Sequence, residues 1–171
     1  PSGVHFFEGS LLPKTVVVLA GRLARQPVTF IVRPYKGVLS LDRTLYAALA
    51  RRASDLVDSG DRDQAITIFE QLVASELPDL DRSYMCLNIA TVYDQQGKRD
   101  QALEAFAQAV DIERATDSYY AASSRAAYYS QIGLYEESSR CYDDLLRHKA
   151  LKPEDRDVFL QNIQTLSKLR S

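Results

Sequence analysis

The chain has 171 residues, 46% hydrophobic and 26% charged, with a formal net charge of −2. This balance is that of a globular chain, not a disordered one, and suits one domain with an arm. The charge is uneven: residues 1–44 hold six basic and two acidic side chains, a net +4, whereas the rest of the chain stands at −6.

Residues 1–41 form an arm with no helical period. Thr15, Val16, Val17 and Val18 open one β-branched run, and Val28, Thr29, Phe30, Ile31 and Val32 make a second. Pro13, Gly21, Pro27, Pro34 and Gly37 bound them, so two short strands are predicted at 15–20 and 28–33. A helix over residues 11–26 is the competing reading, because Leu19, Leu23 and Ala24 share a face in that conformation. A two-stranded hairpin alone is marginal in water. It therefore packs on the helices, pairs through an open edge with a second copy, or belongs to a segment upstream. Phe6 and Phe7 are expected to plug a hydrophobic seam, and His5 has no companion ligand for a metal. The chain opens at Pro1, not at an initiator Met, which fits a fragment of a longer protein. No stretch reaches the roughly 18 apolar residues of a membrane span. Contact with a membrane is thus expected only through the basic arm or a missing segment.

From residue 42 the pattern changes to amphipathic helices. Leu45, Leu49, Ala53, Leu56 and Val57 form a helical stripe that stops at Gly60, and Ala65, Ile66, Ile68, Phe69, Leu72 and Val73 form the next, ending before Pro78. Asp81 is placed to cap the following start. Cys86, Ile89, Ala90 and Tyr93 share a face, Gly97 turns the chain, and Ala102, Leu103, Phe106, Ala109 and Val110 follow. Asp117 is placed to cap a third start. Ala122, Ala126 and Tyr129 then lead to Gly133, Tyr135, Tyr142, Leu145 and Leu146.

Alignment on Gly60, Gly97 and Gly133 brings three copies into register, spaced 37 and 36 residues apart. Seven residues before each glycine stand Ala53, Ala90 and Ala126; four before stand Leu56, Tyr93 and Tyr129. Five after stand Ala65, Ala102 and Ser138; nine after stand Phe69, Phe106 and Tyr142. Small residues let two helices approach closely, and the large aromatic fills the space beside them. This register resembles the tetratricopeptide repeat family, whose pattern has a small residue, an aromatic, a turn glycine and then Ala-x-x-x-aromatic, on a period near ~34. The resemblance covers residues 45–150. The helix-opening Trp of the family pattern is replaced by Leu49, Cys86 and Ala122. The closing Pro has only approximate counterparts in Pro78 and Pro153. The longer spacing predicts longer second helices or longer loops between repeats.

The implied fold is all-α: three stacked helical hairpins at about residues 45–79, 82–116 and 118–152, within a repeat domain spanning 42–171. A final helix over 154–170 presents Phe159, Leu160, Ile163, Leu166 and Leu169 on one side and is expected to cover the end of the stack, the alternative being a partner-binding helix.

No catalytic or metal-binding pattern accompanies this architecture. His5 and His148 lie in different segments, and no phosphate loop, nucleophile elbow or metal-ligand spacing is present. Acidic pairs such as Asp61 with Asp63, Glu136 with Glu137, and Asp143 with Asp144 are expected on solvated helix surfaces. The reading is a non-enzymatic protein that needs no cofactor. The acidic body opposes nucleic-acid binding. Cys86 and Cys141 stand alone in helical patterns, which favours free thiols and a reducing, cytoplasmic setting.

The resemblance further implies that the first helix of each hairpin lines a concave groove for a peptide or protein segment. Arg51 and Ser54 in the first copy, Tyr84, Leu87, Asn88 and Thr91 in the second, and Tyr120 and Ser124 in the third fall on that side. Asn88 offers both a donor and an acceptor to a peptide backbone, and Arg51 a fork for a carboxylate. One subclass of the family clamps a chaperone's terminal carboxylate with several cations, but here Ala50, Tyr84, Tyr120 and Ser124 stand where cations are expected. No such clamp is predicted. Two rival expectations remain: the arm mediates self-association or joins the repeats to a larger, membrane-anchored protein, or the arm fills the groove itself.

Overall fold

The computed structural model describes residues 43–169, and everything read above from the arm lies outside them. Among the described residues the chain forms seven helices and no strand. They are α1 (Arg43–Ser59), α2 (Arg62–Val73), α3 (Asp79–Gln95), α4 (Arg99–Glu113), α5 (Tyr120–Gln131), α6 (Tyr135–Leu145) and α7 (Pro153–Leu169). Each helix packs on the next, and α3 and α5 also touch directly. This is the layout of helical hairpins stacked side by side, with α1, α3 and α5 as the first helices.

The turns between paired helices follow from three glycines. Gly60, Gly97 and Gly133 have φ of 91°, 72° and 81°, in the left-handed region that a Cβ disfavours. At Gly97 its own N–H donates to the Asp94 carbonyl at 2.8 Å, while the Lys98 N–H donates to Tyr93 at 2.9 Å. Gly133 repeats the arrangement, donating to Ser130, with Leu134 donating to Tyr129. The two bonds satisfy carbonyls that the end of a helix leaves open, and they aim the chain back for the second helix.

The small residues of the repeat pattern lie in the core of the paired helices. Ala53, Ala90, Ala126, Ala65, Ala102 and Ser138 are all fully buried. The hydroxyl of Ser138 is accommodated there because it donates to the Ala126 carbonyl at 2.7 Å, which keeps a buried polar group satisfied. Phe69, Phe106 and Tyr142 are buried too. The largest core cluster joins α1 to α5. A smaller one joins α5, α6 and α7 through Ala126, Tyr142, Leu145, Phe159 and Leu166.

Helix starts depart from the sequence expectations in an informative way. Asp61 does cap α2, accepting from the Gln64 N–H at 3.4 Å. Helix α3, however, starts at Asp79, directly after Pro78, so Asp81 falls inside the first turn. Proline's fixed φ sets that start, and the two acids sit where the helix dipole favours negative charge. Asp117 is not a cap either. It lies in the loop before α5 and pairs with Lys149 at 2.6 Å. The residues beyond a period of ~34 are housed in the loops 74–78, 114–119 and 146–152, not in uniformly longer second helices.

The last helix buries a narrower face than its composition suggests. Phe159 and Leu166 are buried and Ile163 is half-buried, but Leu160 and Leu169 are 42% and 48% exposed. Leu160 follows Phe159 by one residue, about 100° around the helix, and so leaves the i, i+4, i+7 stripe. Leu45 in α1 is likewise 44% exposed.

A Cβ added at Gly97 meets no atom within 4 Å, so replacement there tests backbone geometry alone. Gly97→Ala is expected to lower stability by about 1 kcal/mol in urea melts, with Gly97→Asn milder because asparagine tolerates the left-handed region.

Candidate functional site

Helix α3 presents a polar stripe. Asp81, Tyr84, Asn88 and Thr91 follow at intervals of three and four, so they share one face. Asn88 and Thr91 are exposed and Tyr84 is half-buried. On α5, Tyr120 and Ser124 are half-buried. The rings of Tyr84 and Tyr120 meet edge to face, with centroids 5.5 Å apart and planes at 89°. Two residues 36 positions apart thus form one aromatic surface across adjacent repeats.

The other expected groove residues behave differently. Arg51 and Ser54 are exposed on α1. Leu87 is only 8% exposed and belongs to the core, because it lies on the inward side of α3. It is not available to line an open face. The Ser54 hydroxyl donates back to Ala50 at 3.2 Å, Thr91 to Leu87 at 3.0 Å and Ser123 to Tyr120 at 2.9 Å. With their protons committed to their own helices, these oxygens present lone pairs outward.

One neighbour of the tyrosine pair escaped the sequence reading. Tyr46, near the start of α1, packs on the same core cluster, and its phenol is pushed up to about 12 by burial and then by Asp81. Burial, followed by Glu113, Tyr120 and Asp81, also raises Tyr84. The recurrence of Tyr46, Tyr84 and Tyr120 near the three first-helix starts was the available signal. It is offset by one residue in the first copy when counted from the turn glycines.

Glu113 is the residue that sets α5 in place. It ends α4, is 3% exposed, and accepts from the Ala121 N–H at 2.8 Å, the Ala122 N–H at 3.0 Å and the Ser118 hydroxyl at 2.8 Å. Open amides at the start of α5 are therefore capped by the preceding helix. A second tie acts further along: the Tyr128 hydroxyl donates to Asp94 at 2.9 Å, and its ring stacks on Phe106 with centroids 4.7 Å apart. At the turn edge, Arg62 donates to Gln95 at 3.5 Å, Gln96 to Asp63 at 3.0 Å, and Arg99 to the Ile132 carbonyl at 2.7 Å. Arg62 and Arg99 each stand two residues after a turn glycine, so one residue position makes the same kind of reach in two repeats. These ties hold Tyr84 and Tyr120 at their mutual distance.

Among the described residues, no group of three or more His, Cys, Asp or Glu side chains could hold a metal ion, and no helix is long and apolar enough to cross a membrane. Cys86 and Cys141 are free thiols, the first buried and raised to about 11 by that burial.

Stacked helix–turn–helix hairpins with this packing pattern define a helical-repeat protein. Residues 83–116, in the hairpin of α3 and α4, match the family model described as Tetratricopeptide repeat, a match that supports a tetratricopeptide-repeat architecture for the stack. No curated protein matches it.

Two measurements test the ties that position the site. Glu113→Ala is expected to cost about 2–3 kcal/mol in urea unfolding, since it strips a buried cap of three donors, and Glu113→Gln less. Tyr128 is pushed up to about 12, by burial first and then by its bond to Asp94, against ~10 for an unfolded tyrosine. A raised phenol contributes stability that is complete below pH ~10 and lost as pH climbs towards its folded value. In an alkaline titration followed by ultraviolet absorbance, a late class of tyrosines should ionise together with unfolding, and Tyr128→Phe should remove one member of that class.

Proposed function

We propose that the protein is a non-enzymatic interaction module that binds a peptide or protein segment along the faces of α1, α3 and α5. Tetratricopeptide repeats in general mediate protein–protein interactions, and stacked repeats create extended concave surfaces suited to that role. The observation that carries the reading is the edge-to-face pair of Tyr84 and Tyr120, half-buried and placed beside the exposed Asn88 and Thr91. A rigid aromatic surface provides apolar contact at low entropic cost, and Asn88 can pair with both polar groups of an extended backbone. Arg51, Ser54 and Ser124 extend the polar margin, while Leu87 supports the surface from beneath. The mechanism is shape, ring packing and a few polar anchors, with no covalent step.

The reading is tested by replacing Tyr84, Asn88 and Tyr120 together with alanine, confirming helicity by circular dichroism, and measuring retention of bound polypeptides. Loss of at least tenfold in affinity is expected, since removing central aromatic anchors typically costs about 2 kcal/mol or more each. Unchanged binding by a folded triple variant would overturn it.

A further inference from the structure

We propose that the tyrosine pair at the heart of this surface, together with Asp81, receives an arginine or lysine side chain of the bound segment. This inference rests on the interaction reading above and adds the chemistry of the occupant. Three independent features point the same way.

First, Asp81 lies one turn from Tyr84 on the same face of α3, so a carboxyl group borders the aromatic surface. The nearest helical cation, Arg82, is turned elsewhere: it pairs with Asp79 at 2.9 Å and donates to the Val73 carbonyl at 2.8 Å. Arg43, one turn before Tyr46, acts on the Tyr46 phenol. Second, the ring faces of Tyr84 and Tyr120 carry the negative side of the aromatic quadrupole, which attracts a cation lying over them. Their edge-to-face contact occupies the edge of one ring and one face of the other, and both residues stay half-exposed. Third, the hydroxyls of Ser54, Thr91 and Ser123 donate inward, so this surface is rich in acceptors. A guanidinium or ammonium brings only donors and complements it.

The wider charge agrees. Residues 43–169 carry 15 basic and 21 acidic side chains, a net −6. Such a body draws in a basic segment and repels an acidic one. Arg51, on the first hairpin, lies among the expected groove residues and limits the segment's positive charge to the region of α3 and α5. Burial is the main cause of the raised Tyr46 and Tyr84 phenols; Asp81 raises both further, and Arg43 lowers Tyr46.

The test uses the full chain and a random peptide library displayed on phage. Peptides selected on the wild type are synthesised, and their affinities are measured against wild type, Asp81→Asn, Tyr84→Ala and Tyr120→Ala, each checked for helicity. The expected result is enrichment of arginine or lysine at one peptide position. Replacing that residue by glutamine weakens binding about tenfold to the wild type and only marginally to Asp81→Asn, the mark of direct coupling. Peptides that need Tyr84 and Tyr120 but show no basic preference, or that lose equally on both backgrounds, would overturn the cation inference and leave the interaction surface standing. Peptides indifferent to both tyrosine replacements would overturn the surface and the inference together.

Discussion

The structure depends on how closely two helices of one hairpin can approach. Each hairpin buries one small residue from each of its helices, Ala53 and Ala65, Ala90 and Ala102, Ala126 and Ser138, all fully buried, the last two joined by a hydrogen bond. Close packing at these points leaves room for one large ring nearby, supplied by Phe69, Phe106 or Tyr142. A longer side chain at any of the six positions would force the helices apart and displace everything aligned on them. Ser138 is instructive because its hydroxyl is tolerated only through its bond to Ala126.

This packing also explains what was legible in the sequence. Small residues and rings at fixed distances from Gly60, Gly97 and Gly133 are local patterns, repeated three times, and they reveal the hairpins. The turns were readable for the same reason, since a left-handed residue followed by a resumed apolar stripe is a local event. Contacts between repeats were not readable. The cap of α5 was expected from Asp117, a nearby acid in the loop, yet it is supplied by Glu113 on the preceding helix. No periodicity announces that role, because it depends on where two helices end relative to each other. Leu87 was misplaced for a related reason: α3 is flanked by helices on several sides, so less of its circumference is open than an isolated amphipathic helix offers. Of the candidate surface, Tyr84 and Tyr120 were singled out through their equivalent positions, whereas Tyr46, offset by one residue, was passed over and Asp81 was read only as a helix cap.

Buried and half-exposed tyrosines are divided between sides of the same helices. Tyr128 faces inward on α5, stacked on Phe106 and bonded to Asp94, while Tyr120 on the same helix meets Tyr84. One set of tyrosines fixes the spacing at which the other set is displayed. Because α3 is flanked by α2, α4 and α5, the aromatic surface stands on the most enclosed part of the stack. A rigid base of that kind would lower the ordering cost of the binding proposed for this surface.

The reach of Glu113 from the end of α4 to the first amides of α5 has a consequence for how the array assembles. In most stacked repeats each unit is stabilised by its own hairpin and by an apolar seam with its neighbour, and the seam strength sets how many units melt together. Here the start of one hairpin is hydrogen-bonded by the end of the one before it, so α5 gains its cap only after α4 has formed. The third repeat is thereby coupled to the second in a directed sense, running with the chain from its earlier to its later part. A chain emerging from synthesis completes the accepting carboxylate of that cap before the helix that needs it.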